Sequence, residues 1–180
     1  VMLMLGFYIT YFFIGAHVTV ALGLSTTKAG LVPLFYGIGF GLAVLADPVL
    51  DRFGLARATA PVFLIISIVY VCMATATVSF HLLLMLAVVW GVFQHLGLNL
   101  LVARLTALDP AQRGAIMGLY STATYLCIFA VPFLGDLAYG SWGLAGCLAI
   151  SALLCLIESI ESLSLRRVTS MAPAASDAPV

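Results

Sequence analysis

Residues 30 to 59 read GLVPLFYGIGFGLAVLADPVLDRFGLARAT. A long, almost uncharged run leads directly into Asp47, Asp51, Arg52 and Arg57, the densest cluster of charge in the chain. About 20 mostly apolar residues suffice to cross a hydrocarbon core of about 30 Å as a helix. The stretch therefore predicts a span over 30–50 that surfaces in a charged loop. Lipid-exposed backbone must satisfy its own hydrogen bonds, which favours helix. The alternating segments of about ten residues that mark a membrane barrel are not present.

The rest of the chain agrees. Its 180 residues are 64% hydrophobic and 8% charged, with mean hydropathy +1.22. A soluble domain is typically about 45–50% apolar and about 25% charged. Charge this sparse cannot cover a water-facing surface, so the bilayer is the solvent. The zero net charge leaves no basic footprint and excludes nucleic acid as an expected partner. Six spans are expected, at about 2–23, 30–50, 59–78, 82–105, 114–137 and 142–163. The predicted fold class is an all-α membrane protein, with residues 1–168 forming one six-helix bundle. Residues 169–180, small, polar and rich in Pro and Ala, read as a disordered cytoplasmic tail. The chain starts at Val1 directly in a span, without the basic flank of a signal peptide. The expectation is a C-terminal portion of a longer protein that keeps its native end.

Arginine sets the expected orientation. Arg52 and Arg57 follow the second span, Arg104 and Arg113 lie between the fourth and fifth, and Arg166 and Arg167 follow the sixth. Lys28 is alone on the other side. Short loops rich in Lys and Arg stay cytoplasmic, which predicts a multi-pass protein of the cell membrane with its C-terminus inside. Cys72, Cys127, Cys147 and Cys155 all fall within spans and read as small apolar packing residues, with no metal-ligand spacing. Asp109, Pro110 and Gln112 form a helix start, as N-cap, N1 and N3.

Two motifs carry a resemblance. Asp51-Arg52-Phe53-Gly54 followed by Arg57 resembles the D-R-x-G core of the loop between the second and third helices of each half of the major facilitator superfamily. Asp47 stands where that signature expects Gly, and Leu55 where it expects Arg. Pro110, Arg113, Gly114, Met117 and Gly118 resemble its P-x-x-R-G-x-x-M-G stretch. Pro132 to Asp136 is similar to the G-P-x-x-G segment of efflux members, with Val131 in place of the first Gly. The resemblance implies one six-helix half of a bundle, most simply the C-terminal half, built as a 3+3 inverted repeat. Ala46 to Asp51 and Ala130 to Asp136 share an A-x-P-x-L pattern followed by an acid, which either chance or a repeat relating spans two and five would give. The implied activity is alternating-access transport of a small organic solute, with protons as the coupling ion and efflux as the direction. The implied partners are the lipid bilayer and a missing N-terminal half.

Polar groups in lipid-depth helices often mark pathways. In the fourth span Gln94, His95 and Asn99 interrupt an apolar helix; His95 and Asn99 are four apart and share a face. A histidine there could carry a coupling proton, or these groups could simply hydrogen-bond the bundle together. Tyr8, Tyr11 and His17 on the first span, Tyr36 on the second, and Tyr120 and Tyr125 on the fifth complete the cavity candidates. The resemblance places the first, second, fourth and fifth spans on the cavity and the third and sixth outside it. Asp47, Asp51, Arg52, Gly54, Arg57, Arg104 and Arg113 form the expected gating set, with Asp51 as a latch paired with Arg104 or a helix N-terminus. Glu158 and Glu161 are expected to reach the membrane surface or pair with Arg166. No catalytic residue, cofactor or metal is expected: GxSxG and HExxH are absent. A self-sufficient six-helix carrier or scaffold acting as a homodimer is the alternative reading.

Overall fold

The computed structural model describes residues 1–171, with the side chains of Val49, Asp51 and 166–171 outside the description. Among the described residues all regular structure is helical. Helix α1 (Met2–Ala16) continues as a π-helical turn (His17–Ala21), in which Leu22 N–H reaches the His17 carbonyl at 3.1 Å. Helix α2 (Thr26–Leu42) starts on Ser25, whose hydroxyl accepts from Lys28 N–H. It tightens into a 3₁₀ turn (Ala43–Ala46) and re-forms as α3 (Asp47–Phe53). Pro48 explains the interruption: it has no N–H to donate backwards, and its ring crowds the preceding turn. The expected second span over 30–50 is therefore longer at its start and broken at its end. Gly54 has φ 80° and ψ 137°, a conformation that favours a residue without Cβ.

Helix α4 (Leu55–Thr75), helix α5 (Phe80–Leu108) and helix α6 (Arg113–Met171) follow. Asp109 caps as expected: its carboxylate accepts from Ala111 N–H at 2.9 Å and from the Gln112 side chain at 3.0 Å. The fifth and sixth spans differ from expectation in their junction. No loop separates them; helical hydrogen bonding runs to Gly143, where φ 62° breaks it. The chain reverses there. Cys147 Sγ lies 3.8 Å from the Gly135 carbonyl, whereas twelve residues of straight helix would separate them by about 18 Å. The two arms of α6 (113–142 and 144–171) are thus antiparallel neighbours. The second arm continues helical to Met171, past the point where the tail was expected to begin; the remainder of that tail, 172–180, lies outside the described residues.

Lipid gives apolar side chains little reason to leave it, so helices in a membrane are joined by close packing and hydrogen bonds. Ser151 on the second arm lies 2.7 Å from the Gly6 carbonyl, 2.9 Å from that of Cys147 and 3.0 Å from the Thr10 hydroxyl. Ser67 donates to the Ala152 carbonyl and Ser159 to that of Ala60, both at 2.8 Å. These bonds tie α1, α4 and the second arm together around Phe63, Tyr70 and Trp90, all fully buried. Trp90 Nε1–H donates to the Tyr70 hydroxyl at 3.0 Å. Helices α2 and α5 meet through reciprocal notches: a Cβ on Gly39 would strike the Val88 carbonyl, and one on Gly91 the Tyr36 carbonyl.

Candidate functional site

The α2–α3 break positions Asp47 against α5. Asn99 donates to Asp47 Oδ1 at 3.0 Å, and His95 Nε2 lies 3.3 Å from Asp47 Oδ2 and 2.9 Å from Asn99 Nδ2. The helical spacing of His95 and Asn99 puts both on the face turned to Asp47. The His95 side chain is 11% exposed and that of Asp47 32%, so the cluster is shielded but reachable. His95 and Asn99, expected on a cavity wall, are joined here by Asp47, which was expected in the gating loop.

His95 Nε2 cannot both accept from Asn99 and donate to Asp47. With a lone pair on Nε2, Asn99 donates one N–H to the ring and the other to Asp47. With a proton on Nε2, the ring donates to Asp47 Oδ2 and the second Asn99 N–H must turn away. The cluster therefore has two hydrogen-bonded arrangements that differ in the place of one proton. Nδ1 of His95 is buried without a partner among the described residues, as are both amide atoms of Gln94. Gln94 is 2% exposed and sits inside the bundle. It does not join His95 on the open side.

An aromatic row leads away from this cluster. The Phe40 ring meets His95 edge-on at 4.7 Å, Tyr36 follows at 5.9 Å from Phe40, and Phe7 at 5.5 Å from Tyr36. Tyr11 stacks on Phe7 at 5.2 Å, and Tyr8 meets Phe7 edge-on at 4.9 Å. Tyr8, Tyr11 and Tyr36, expected on the wall, are thus brought together. Tyr120 is half-buried and packs on the core, while Tyr125 is 70% exposed on the first arm of α6. His17 is apart from all of these: Nε2 pairs with the Thr77 carbonyl at 2.8 Å, tying the end of α1 to the turn after α4. Phe7 and Phe40 escaped notice in the sequence, because a phenylalanine in an oily helix carries no signal of its own.

The gating set is dispersed. Arg52 and Arg57 are exposed at the α3–α4 turn. Arg104 donates to Ser162 Oγ at 3.3 Å, and Arg113 folds back on the Thr106 carbonyl at 3.3 Å. The expected latch contact of Asp51 lies outside the described side chains. Glu158, expected at the surface or on Arg166, turns inward and accepts Leu3 N–H at 3.1 Å; Arg166 lies outside the described side chains. Together with Glu161 and Arg104, Glu158 lines a cavity of about 250 Å³ between α4, α5 and the second arm. No group of three or more potential metal ligands occurs among the described residues.

Comparison with known proteins places this architecture. The sequence profile of the Major Facilitator Superfamily matches residues 1–178. An uncharacterized MFS-type transporter of Bacillus subtilis (strain 168), YwfA, is 32% identical over 154 residues. That match covers 83% of this chain and 37% of the relative, so the chain spans little more than a third of that protein's length. No solved structure matches the chain.

Proposed function

The chain belongs to the Major Facilitator Superfamily, and from that premise we propose that it is the C-terminal six-helix half of a secondary transporter that exports a small organic solute in exchange for protons. Membership makes it a multi-pass membrane transporter rather than an enzyme. The observation that carries the finer reading is the Asp47–His95–Asn99 cluster. Ionisable groups at membrane depth are costly and are kept where they serve a pathway. This one sits at a helix break, holds α3 against α5, and changes its hydrogen bonds when a proton arrives.

In this reading the proton and the conformation share one lever. Loss of the His95–Asp47 bond frees the α2–α3 junction, whose 3₁₀ turn already lacks a continuous α-helical ladder. The bundle then rocks against a separate six-helix half that completes the cavity. The arginine-bearing ends face the cytoplasm of the cell membrane. Asp51, Arg52, Gly54 and Arg57 serve as the gating loop, a role that rests on their motif.

The test is proton flux. The full-length protein is reconstituted in liposomes with a trapped pH dye and offered a panel of amines, carboxylates and sugars. At least one solute class should produce a dye response. His95→Gln should abolish it while retaining downhill exchange of the same labelled solute. A panel with no response, or a full response in His95→Gln, overturns proton coupling through this cluster.

A further inference from the structure

We propose that the open face of this half selects a positively charged aromatic solute, held between the ring row of α1 and α2 and the Asp47 carboxylate. The proposal rests on the transport reading and narrows its solute. Six rings form a branched row that ends at Asp47: Tyr8 and Tyr11 both lie against Phe7, at 4.9 and 5.2 Å, and Phe7, Tyr36, Phe40 and the imidazole of His95 follow one another within 6 Å. They are not sealed in. Tyr11 is 39% exposed, and Phe7, Tyr8, Tyr36 and Phe40 are half-buried. Ring faces carry negative quadrupole density and attract a cation, most of all where water is scarce.

The charge census on this face is one-sided. Asp47 ends the row with a carboxylate that is 32% exposed. Its described partners are an amide and an imidazole, which leave it short of a full counter-charge whenever His95 is neutral. A carboxylate so shielded gains strongly from a compensating cation. No described lysine or arginine side chain is bonded to Asp47. Lys28 lies in the first turn of α2, at the far end from Asp47; Arg104 is turned to Ser162 and Arg113 to the Thr106 carbonyl. Arg52, on α3 beyond Asp47, and Arg57, at the start of α4, are exposed. An anion entering along the rings would meet quadrupoles and a carboxylate of its own sign. A sugar would find few donors among phenyl rings.

Two ions of matched size and opposite charge test this: tetraphenylphosphonium and tetraphenylborate. Binding to the full-length protein in detergent is followed by tryptophan fluorescence, since Trp90 lies 4.6 Å from Tyr36 and 5.4 Å from Phe7. The expected result is saturable binding of the phosphonium at least about tenfold tighter than of the borate. Asp47→Asn should erase that preference, and Asp47→Glu, a folded control that keeps the charge, should retain it. Equal binding, a preference for borate, no saturable binding of either ion, or a preference that survives Asp47→Asn overturns the proposal. Failure here is distinct from failure of proton coupling. A transporter whose pH-dye response comes only from carboxylates or sugars refutes the cation and leaves the coupling intact. Phosphonium selectivity without any dye response does the reverse.

Discussion

Helices α4 and α2 are nearly equal in hydropathy and opposite in their surroundings. Of the eighteen most apolar consecutive residues of each span, 56% are buried in α4 and 17% in α2 with its 3₁₀ extension. Apolarity therefore does not choose the inner helix. In lipid every span is oily, and the choice falls to small residues and hydroxyls that permit close approach. Helix α4 is bonded twice to the second arm of α6, through Ser67 to Ala152 and from Ser159 to Ala60. Helix α2 touches its neighbours along one stripe, at Gly39 and opposite Gly91, and leaves Leu34, Ile38 and Leu42 exposed. The first arm of α6 is similar, with Leu126, Phe129, Phe133 and Leu137 exposed. The packed side holds shape; the sparse side is left open.

The sharpest way to break this contrast is at the notch. Gly91→Ala pushes a methyl group into the backbone of α2, which cannot yield as a side chain could. Overpacking of this kind costs about 3 kcal/mol, and thermal unfolding in detergent should show the variant strongly destabilised. Gly37→Ala, on the open stripe of the same contact, meets nothing within 4 Å and should be neutral or stabilising by up to about 1 kcal/mol through helix propensity. Equal losses in both would mean that α2 has no preferred packing stripe.

A smaller effect tests the packed side. Ser151→Ala removes the hydroxyl that lies against Gly6, Cys147 and Thr10. Interhelical bonds of this type contribute about 0.6–1.7 kcal/mol, so the unfolding midpoint should fall modestly while the helical content stays. No shift would transfer the stability of the α1 contact to van der Waals packing alone. The smallest effect belongs to the open arm. Phe129→Leu, at a ring 71% exposed, should change stability by no more than about 0.5 kcal/mol. A large loss there would show that the first arm is covered after all.

Much of the fold was legible in the chain because its signals are local. Hydropathy marked a chain of long apolar helices, and Asp109, Pro110 and Gln112 announced the start of α6 through capping chemistry that needs only three neighbours. The α6 reversal was legible only in part: the gap between the spans expected over 114–137 and 142–163 promised a break, yet helical bonding persists up to Gly143, because a single positive-φ glycine suffices to turn the chain. The end of α2 was misplaced because Pro48 acts through backbone geometry that hydropathy does not register.

The site divided along the same line. That His95 and Asn99 share a face follows from four-residue spacing. That Asp47 completes them does not, since it lies 48 and 52 positions away in a segment whose charges read as a surface loop. Glu158 makes the same point across 155 positions, since no spacing rule announces its bond to Leu3 N–H. By itself the sequence determined that this is a helical membrane protein with spans and turns at these places, because burial in lipid and capping depend on neighbours within a few turns. Which polar groups meet, and which face stays open, only the tertiary structure decided. In a uniformly apolar solvent those choices rest on glycine notches and single hydrogen bonds, and these exist only once two distant helices touch.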